Sequence, residues 1–125
     1  MPSIRADKQI FPFFDSVKTP ISAAGTSESF HNNGFSTLMI EVSGASSIDM
    51  EIEGCINILD ANGEPKEDAN CVWTKLGLYN LNDFSFAKKI TGNGIYAISI
   101  DGTARVRVVV NSVSGNTTIL GSASV

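Results

Sequence analysis

The chain has 125 residues, enough to bury one self-supporting core, and its 42% hydrophobic and 18% charged content excludes a disordered, charge-rich polymer. Its formal net charge is -4, with nine basic residues scattered from Arg5 to Arg107, so it offers no basic footprint for a phosphate backbone and no nucleic-acid partner is expected. No segment approaches the roughly 18 apolar residues of a membrane helix, and the charged start Met1 to Ile10 lacks the apolar centre of a secretory signal; the chain reads as soluble, made in the cytoplasm, with no membrane partner.

Residues 1–33 read as an N-terminal arm or edge-strand segment. Pro12 interrupts the aromatic cluster Phe11, Phe13 and Phe14, and Pro20 follows; proline cannot donate to a sheet ladder, which suits an edge or an arm. These phenylalanines either fold back on their own core or dock on a neighbouring subunit, and Phe11, Phe13 and Phe14 are candidate interface residues on the second reading.

Residues 34–125 read as the folded domain. After Asn33-Gly34, the run 35–42 places Leu38, Ile40 and Val42 on one face. Residues 47–53 set Ile48, Met50 and Ile52 against Asp49, Glu51 and Glu53, and the strand is expected to continue through Gly54, as a bulge or bend, to Leu59. The polar stretch 60–70, with Asn62-Gly63 and Pro65, is expected to be a long exposed loop. Trp73 to Leu76 form a short strand, whereas 77–89 stays ambiguous, with Phe84-Ser85-Phe86 alternating among the turn formers Asn80, Asn82 and Asp83.

The clearest local pattern is residues 92–111. Tyr96, Ile98 and Ile100 share one face, Val106, Val108 and Val110 share another, and Asp101-Gly102 between them predicts a hairpin whose arms pair antiparallel. Arg105 and Arg107 then face outward, available to the Asp49/Glu51/Glu53 strand or to a partner protein. A last strand runs from Thr117 to Val125. No long window sustains a helical period, and strands arriving about every 8 to 12 residues between turns define an all-β, antiparallel β-sandwich, jelly-roll-like or immunoglobulin-like.

Candidate chemistry is sparse. A Ser-His-acid triad has only His31 to draw on, in a turn-like setting without a nucleophile elbow. Cys55 and Cys71 stand in no catalytic or zinc signature, and are either free thiols or a disulfide closing the intervening loop. Asp49, Glu51 and Glu53 have the residue type of a glycosidase pair, but alternation alone explains carboxylates on a wet strand face. The Asp60 to Asp68 region is spaced wrongly for an EF-hand, and Gly92-Asn93-Gly94 precedes a strand where a dinucleotide site needs a helix. No catalytic residue, metal or cofactor is expected. Carbohydrate binding is the reading that residue types keep open: Trp73, Tyr79, Asn80 and Asn82 are near in sequence and supply the aromatic faces and amides that hold sugars.

The order Gly34-Phe-Ser-Thr-Leu-Met-Ile-Glu-Val-Ser-Gly44, a strand into Glu53-Gly54, Trp73-x-x-Leu76, Ile90-Thr-Gly-Asn-Gly-Ile-Tyr96 and Arg105-Val-Arg-Val-Val-Val-Asn-Ser-Val-Ser-Gly115 resembles small β-sandwich structural proteins of tailed bacteriophages, of the tail, baseplate or head-fibre type. The resemblance spans about residues 34–125 and carries no catalytic signature. It implies a non-enzymatic virion protein in the tail, the baseplate or the capsid decoration, a homo-oligomer attached to other virion proteins. Arg105 and Arg107 join the phenylalanines as candidate interface residues. The alternative is a carbohydrate- or receptor-binding module that meets a host surface glycan.

Overall fold

In a computed structural model, residues 8–14 are described as backbone and residues 21–125 in full. The strands are β1 (Lys8–Phe14), β2 (Gly25–Thr26), β3 (Phe30–His31), β4 (Thr37–Ser43), β5 (Ser47–Cys55), β6 (Thr74–Lys75), β7 (Leu78–Asn80), β8 (Ser85–Ala87), β9 (Gly94–Ser99), β10 (Arg105–Ser114) and β11 (Thr118–Ser124). One 3-10 turn, Asp68–Asn70, is the sole helical element among the described residues. A six-stranded sheet runs β1-β11-β4-β9-β7-β8 and a five-stranded sheet is built from β2-β10-β5-β6 with β3 also on β10. Every pairing is antiparallel, and the molecule is an all-β sandwich.

The core lies between the sheets and consists of the inward half of each alternating strand. Leu38, Ile40 and Val42 of β4, Tyr96 and Ile98 of β9 with Ile100 just beyond it, and Ile119 and Ala123 of β11 meet Ile48, Met50 and Ile52 of β5 and Val106, Val108 and Val110 of β10. Period-two patterning therefore places the whole expected core correctly. Ile21, Phe30, Phe35, Leu78 and Ile90 join it from short or irregular segments, where no alternation announces them.

The predicted β9–β10 hairpin does not form. Asp101-Gly102 does reverse the chain: Thr103 N–H donates to the Ile100 carbonyl at 3.0 Å, and Gly102 takes the positive φ of 83° that the turn requires. Yet β9 pairs with β4 and β7, while β10 pairs with β5, β2 and β3 in the opposite sheet. A tight turn between two strands, each apolar on one face, has two solutions. Side by side, both faces line the same side of one sheet; arched, they close on each other across the core. Here the arch is braced by Asn32, whose Nδ2 donates to the Phe35 and Ile100 carbonyls, each at 2.9 Å.

Gly54 is not a bulge either. It pairs in register with Val106 and Thr74. A Cβ there would stand 3.0 Å from Thr103 Cγ2 and 3.2 Å from Leu76 Cδ1, so glycine permits close packing. The register shift falls on β10, between Val110 and Ser112. The strand expected to reach Leu59 ends at Cys55.

Candidate functional site

The two outer faces of the sandwich differ in kind. On the five-stranded sheet, alternation turns Asp49, Glu51, Glu53 and Cys55 of β5 and Arg105, Arg107 and Val109 of β10 away from the core, in the register Glu53↔Arg107 and Cys55↔Arg105. Arg107 Nε donates to Glu53 Oε1 at 2.9 Å, and its guanidinium carbon lies 4.1 Å from the Trp73 ring centroid. Lys75 Nζ reaches Glu51 Oε2 at 2.8 Å, Lys89 Nζ reaches Asp49 Oδ2 at 3.4 Å, and Asn111 Nδ2 donates to both carboxylates. Glu51 is held below its ordinary pKa first by the Lys75 hydrogen bond and then by Asn111; Asp49 is lowered first by Asn111. The face is charged, and its lysines, arginines and carboxylates form ion pairs within the chain.

Arg105 is buried and serves as a clamp. Its Nη1 donates to the Lys66 carbonyl at 2.6 Å, to Asp68 Oδ1 at 3.1 Å and to Cys71 Sγ at 3.6 Å. Ser29 Oγ also donates to Asp68 Oδ1, at 2.9 Å, and Trp73 Nε1 to the Asp68 carbonyl at 2.8 Å. The polar loop 56–73 is thereby drawn down over the sheet. The exposed His31 and the buried Cys55 both pair with Arg105, from opposite sides of β10. That places them two strand spacings apart, about 10 Å, with the arginine between them, too far for a nucleophile and its base. No group of three or more His, Cys, Asp or Glu among the described residues could hold a metal.

The outer face of the six-stranded sheet carries an apolar patch among serines and threonines. Its rows follow the register Phe86↔Tyr79↔Ala97↔Met39↔Ser122 and, beside it, Ile95↔Glu41↔Leu120. Met39, Glu41, Ile95, Leu120 and Ser122 line an open concavity of about 300 Å³. At the free end of the sheet the β7–β8 hairpin raises an aromatic tip. Tyr79 and Phe86 meet edge to face, with centroids 5.3 Å apart, and Phe84 is 78% exposed.

Phe84 is also the one non-glycine described residue at positive φ, 59°, a conformation costly for a bulky side chain. The turn imposes it. Phe84 N–H donates to the Asn80 carbonyl at 2.7 Å, Asn80 Oδ1 accepts from Asn82 N–H at 2.8 Å, and Asp83 Oδ1 accepts from Ser85 N–H and Oγ at 2.9 and 2.6 Å.

The residues singled out in sequence are thus divided. Tyr79, Asn80 and Asn82 belong to the aromatic tip, whereas Trp73 lies on the other sheet beneath Arg107. Arg105 and Arg107 are engaged inside the chain. Phe11, Phe13 and Phe14 fall on β1, which pairs with β11 at the far edge of the six-stranded sheet; their side chains lie outside the described residues. Sequence reasoning missed Met39, Ile95, Leu120, Phe84 and Phe86 as a surface. Its one available signal was the Phe84-Ser85-Phe86 alternation between turn formers.

The architecture defines a two-sheet antiparallel β-sandwich whose strands mostly cross between sheets. No family model and no curated protein sequence matches the chain. Among solved structures it is similar to the SPBc2 prophage-derived protein YomS, with a TM-score of 0.73 and 24% identity over 100% of both chains. It is also similar to the PBSX exported protein XepA, with a TM-score of 0.72 and 18% identity over 97% of this chain. The chain spans 39% of the length of XepA. At these identities the likeness is one of fold.

Proposed function

We propose that the protein is a non-enzymatic structural component of a bacteriophage particle, which associates with other virion proteins and with copies of itself through the apolar patch on the outer face of its six-stranded sheet. The observation that carries this reading is the asymmetry of the two faces. Charges on one are paired internally, whereas the other presents Met39, Ile95, Leu120, Tyr79, Phe84 and Phe86 with Glu41 as the carboxylate among them. An apolar patch rimmed by polar groups marks a protein contact more often than a solvent face. The prophage origin of YomS and the order of motifs in the sequence support the phage setting. A tail, baseplate or capsid-decoration position is a finer form of the same reading.

Phe84 supplies the test. Because it is strained and contributes little burial, Phe84→Gly is expected to leave stability unchanged or raise it by up to about 1 kcal/mol. Combined with Phe86→Ser, it is expected to abolish self-association in sedimentation equilibrium. A wild-type chain that stays monomeric at every concentration, or a double variant that assembles like the wild type, overturns the reading.

The second reading, a glycan-binding module, is favoured by the grouping of Tyr79, Asn80 and Asn82 at one exposed tip. Glycan-array binding lost on Tyr79→Ala, with the mass in solution unchanged, would select it.

A further inference from the structure

Beneath the clamped loop lies a pair of thiols. Cys55 ends β5 with its side chain buried on the outer side of the sheet, opposite Arg105 in register. Cys71 arrives from the far end of the loop, half-buried, directly after the Asp68–Asn70 turn. Arg105 Nη1 contacts Cys71 Sγ at 3.6 Å, Cys71 Sγ–H donates to the Glu67 carbonyl at 3.6 Å, and Cys55 stands opposite Arg105 in register, on the same outer side of the sheet. One arginine therefore positions both the strand residue and the loop residue.

We infer that Cys55 and Cys71 are an oxidation site, which forms an intramolecular disulfide and fastens the loop 56–70 covalently to the five-stranded sheet. The oxidant is a small-molecule disulfide of the glutathione type. Cys71 is the more accessible sulfur and reacts first. Its thiolate attacks one sulfur of the oxidant, the S–S bond of the oxidant breaks, and one glutathione leaves as thiolate. Cys55 then loses its proton to solvent and attacks Cys71 Sγ in the mixed disulfide. The second glutathione leaves. Two protein thiols are oxidised to one disulfide, and one oxidised glutathione is reduced to two thiols.

Burial and the neighbouring Cys71 sulfur push the Cys55 thiol above its ordinary pKa, so it is a slow first nucleophile. As a resolving thiol it needs only proximity. The crosslink acts on the unfolded chain by closing a loop, and it acts on the folded one by making permanent what the Arg105 contacts hold reversibly. The state of the pair then reports the compartment the protein occupies: open where thiols are kept reduced, closed outside the cell.

The experiment treats the full chain with oxidised glutathione and then maps peptides by mass spectrometry without reduction. A Cys55–Cys71 linked peptide pair from monomeric protein is expected, with loss of two hydrogens and of iodoacetamide labelling at both positions. The melting temperature is expected to rise by about 5 °C and to fall back on reduction, while Cys71→Ser shows neither effect. Stable glutathione adducts at one or both cysteines, links between chains only, or both thiols remaining open to iodoacetamide would each overturn the inference.

Discussion

Arg105 shows how a residue type misleads when its strand position is known but its cover is not. Alternation puts it on the outer side of β10, and an outward arginine in a small protein is normally solvated. Here the loop 56–73 closes over it, and the guanidinium holds the Lys66 carbonyl, Asp68 and Cys71 at once. Its Nε makes no hydrogen bond among the described residues, so part of the desolvation cost stays uncompensated. Arg105→Ala is expected to cost about 1–3 kcal/mol in urea unfolding, because the loop loses its central donor. Limited proteolysis should then cut first within residues 60–70. Equal protease resistance in the variant and the parent would show that the loop does not depend on the clamp.

At the scale of the element, the outward half of β5 is a titratable ladder rather than a bare acidic strip. Asp49 and Glu51 are both held below their ordinary values, chiefly by hydrogen bonds from Asn111 and Lys75 respectively. A carboxylate with a lowered folded pKa contributes stability that is complete above its unfolded value and lost as pH falls through the folded one. Stability should therefore be level from about pH 5 to pH 7 and decline below about pH 4. Lys75→Met removes the largest cause at Glu51, so its acid decline is expected to be shallower by about 2–4 °C in melting temperature between pH 5 and pH 3. Superimposable wild-type and variant profiles would deny the pair this role. Alternation made the ladder itself legible. Its partners were not, because Lys75 and Lys89 come from segments too short or irregular to be placed before the sheet is assembled.

For the whole molecule, the sheet edges matter as much as the faces. β1 covers β11 in register from Lys8↔Ser124 to Leu120↔Pro12, with an irregularity before Phe14. Deleting residues 1–14 leaves the outer edge of β11 as unpaired donors and acceptors, a template for edge-to-edge pairing. The truncated chain is expected to melt several degrees lower and to form larger species by light scattering, on the order of 5–10 °C for a loss of one to two kcal/mol. A truncated chain of unchanged mass and melting temperature would mean that β1 contributes nothing to closing the sheet.

What the sequence determined by itself was the class of fold, the position of the turns and the identity of the core faces, since each depends on neighbours within about ten residues. Leu38, Ile40 and Val42, Ile48, Met50 and Ile52, Tyr96, Ile98 and Ile100, and Val106, Val108 and Val110 all turn inward as their alternation requires. The tertiary structure alone decided which strands pair. Asp101-Gly102 specifies a reversal equally well for a hairpin and for an arch, and burial of two apolar faces against each other selects the arch. It also decided what function the surface can carry. Met39, Ile95 and Leu120 lie on three strands far apart in sequence, and they become one apolar patch only when β9, β4 and β11 are brought side by side.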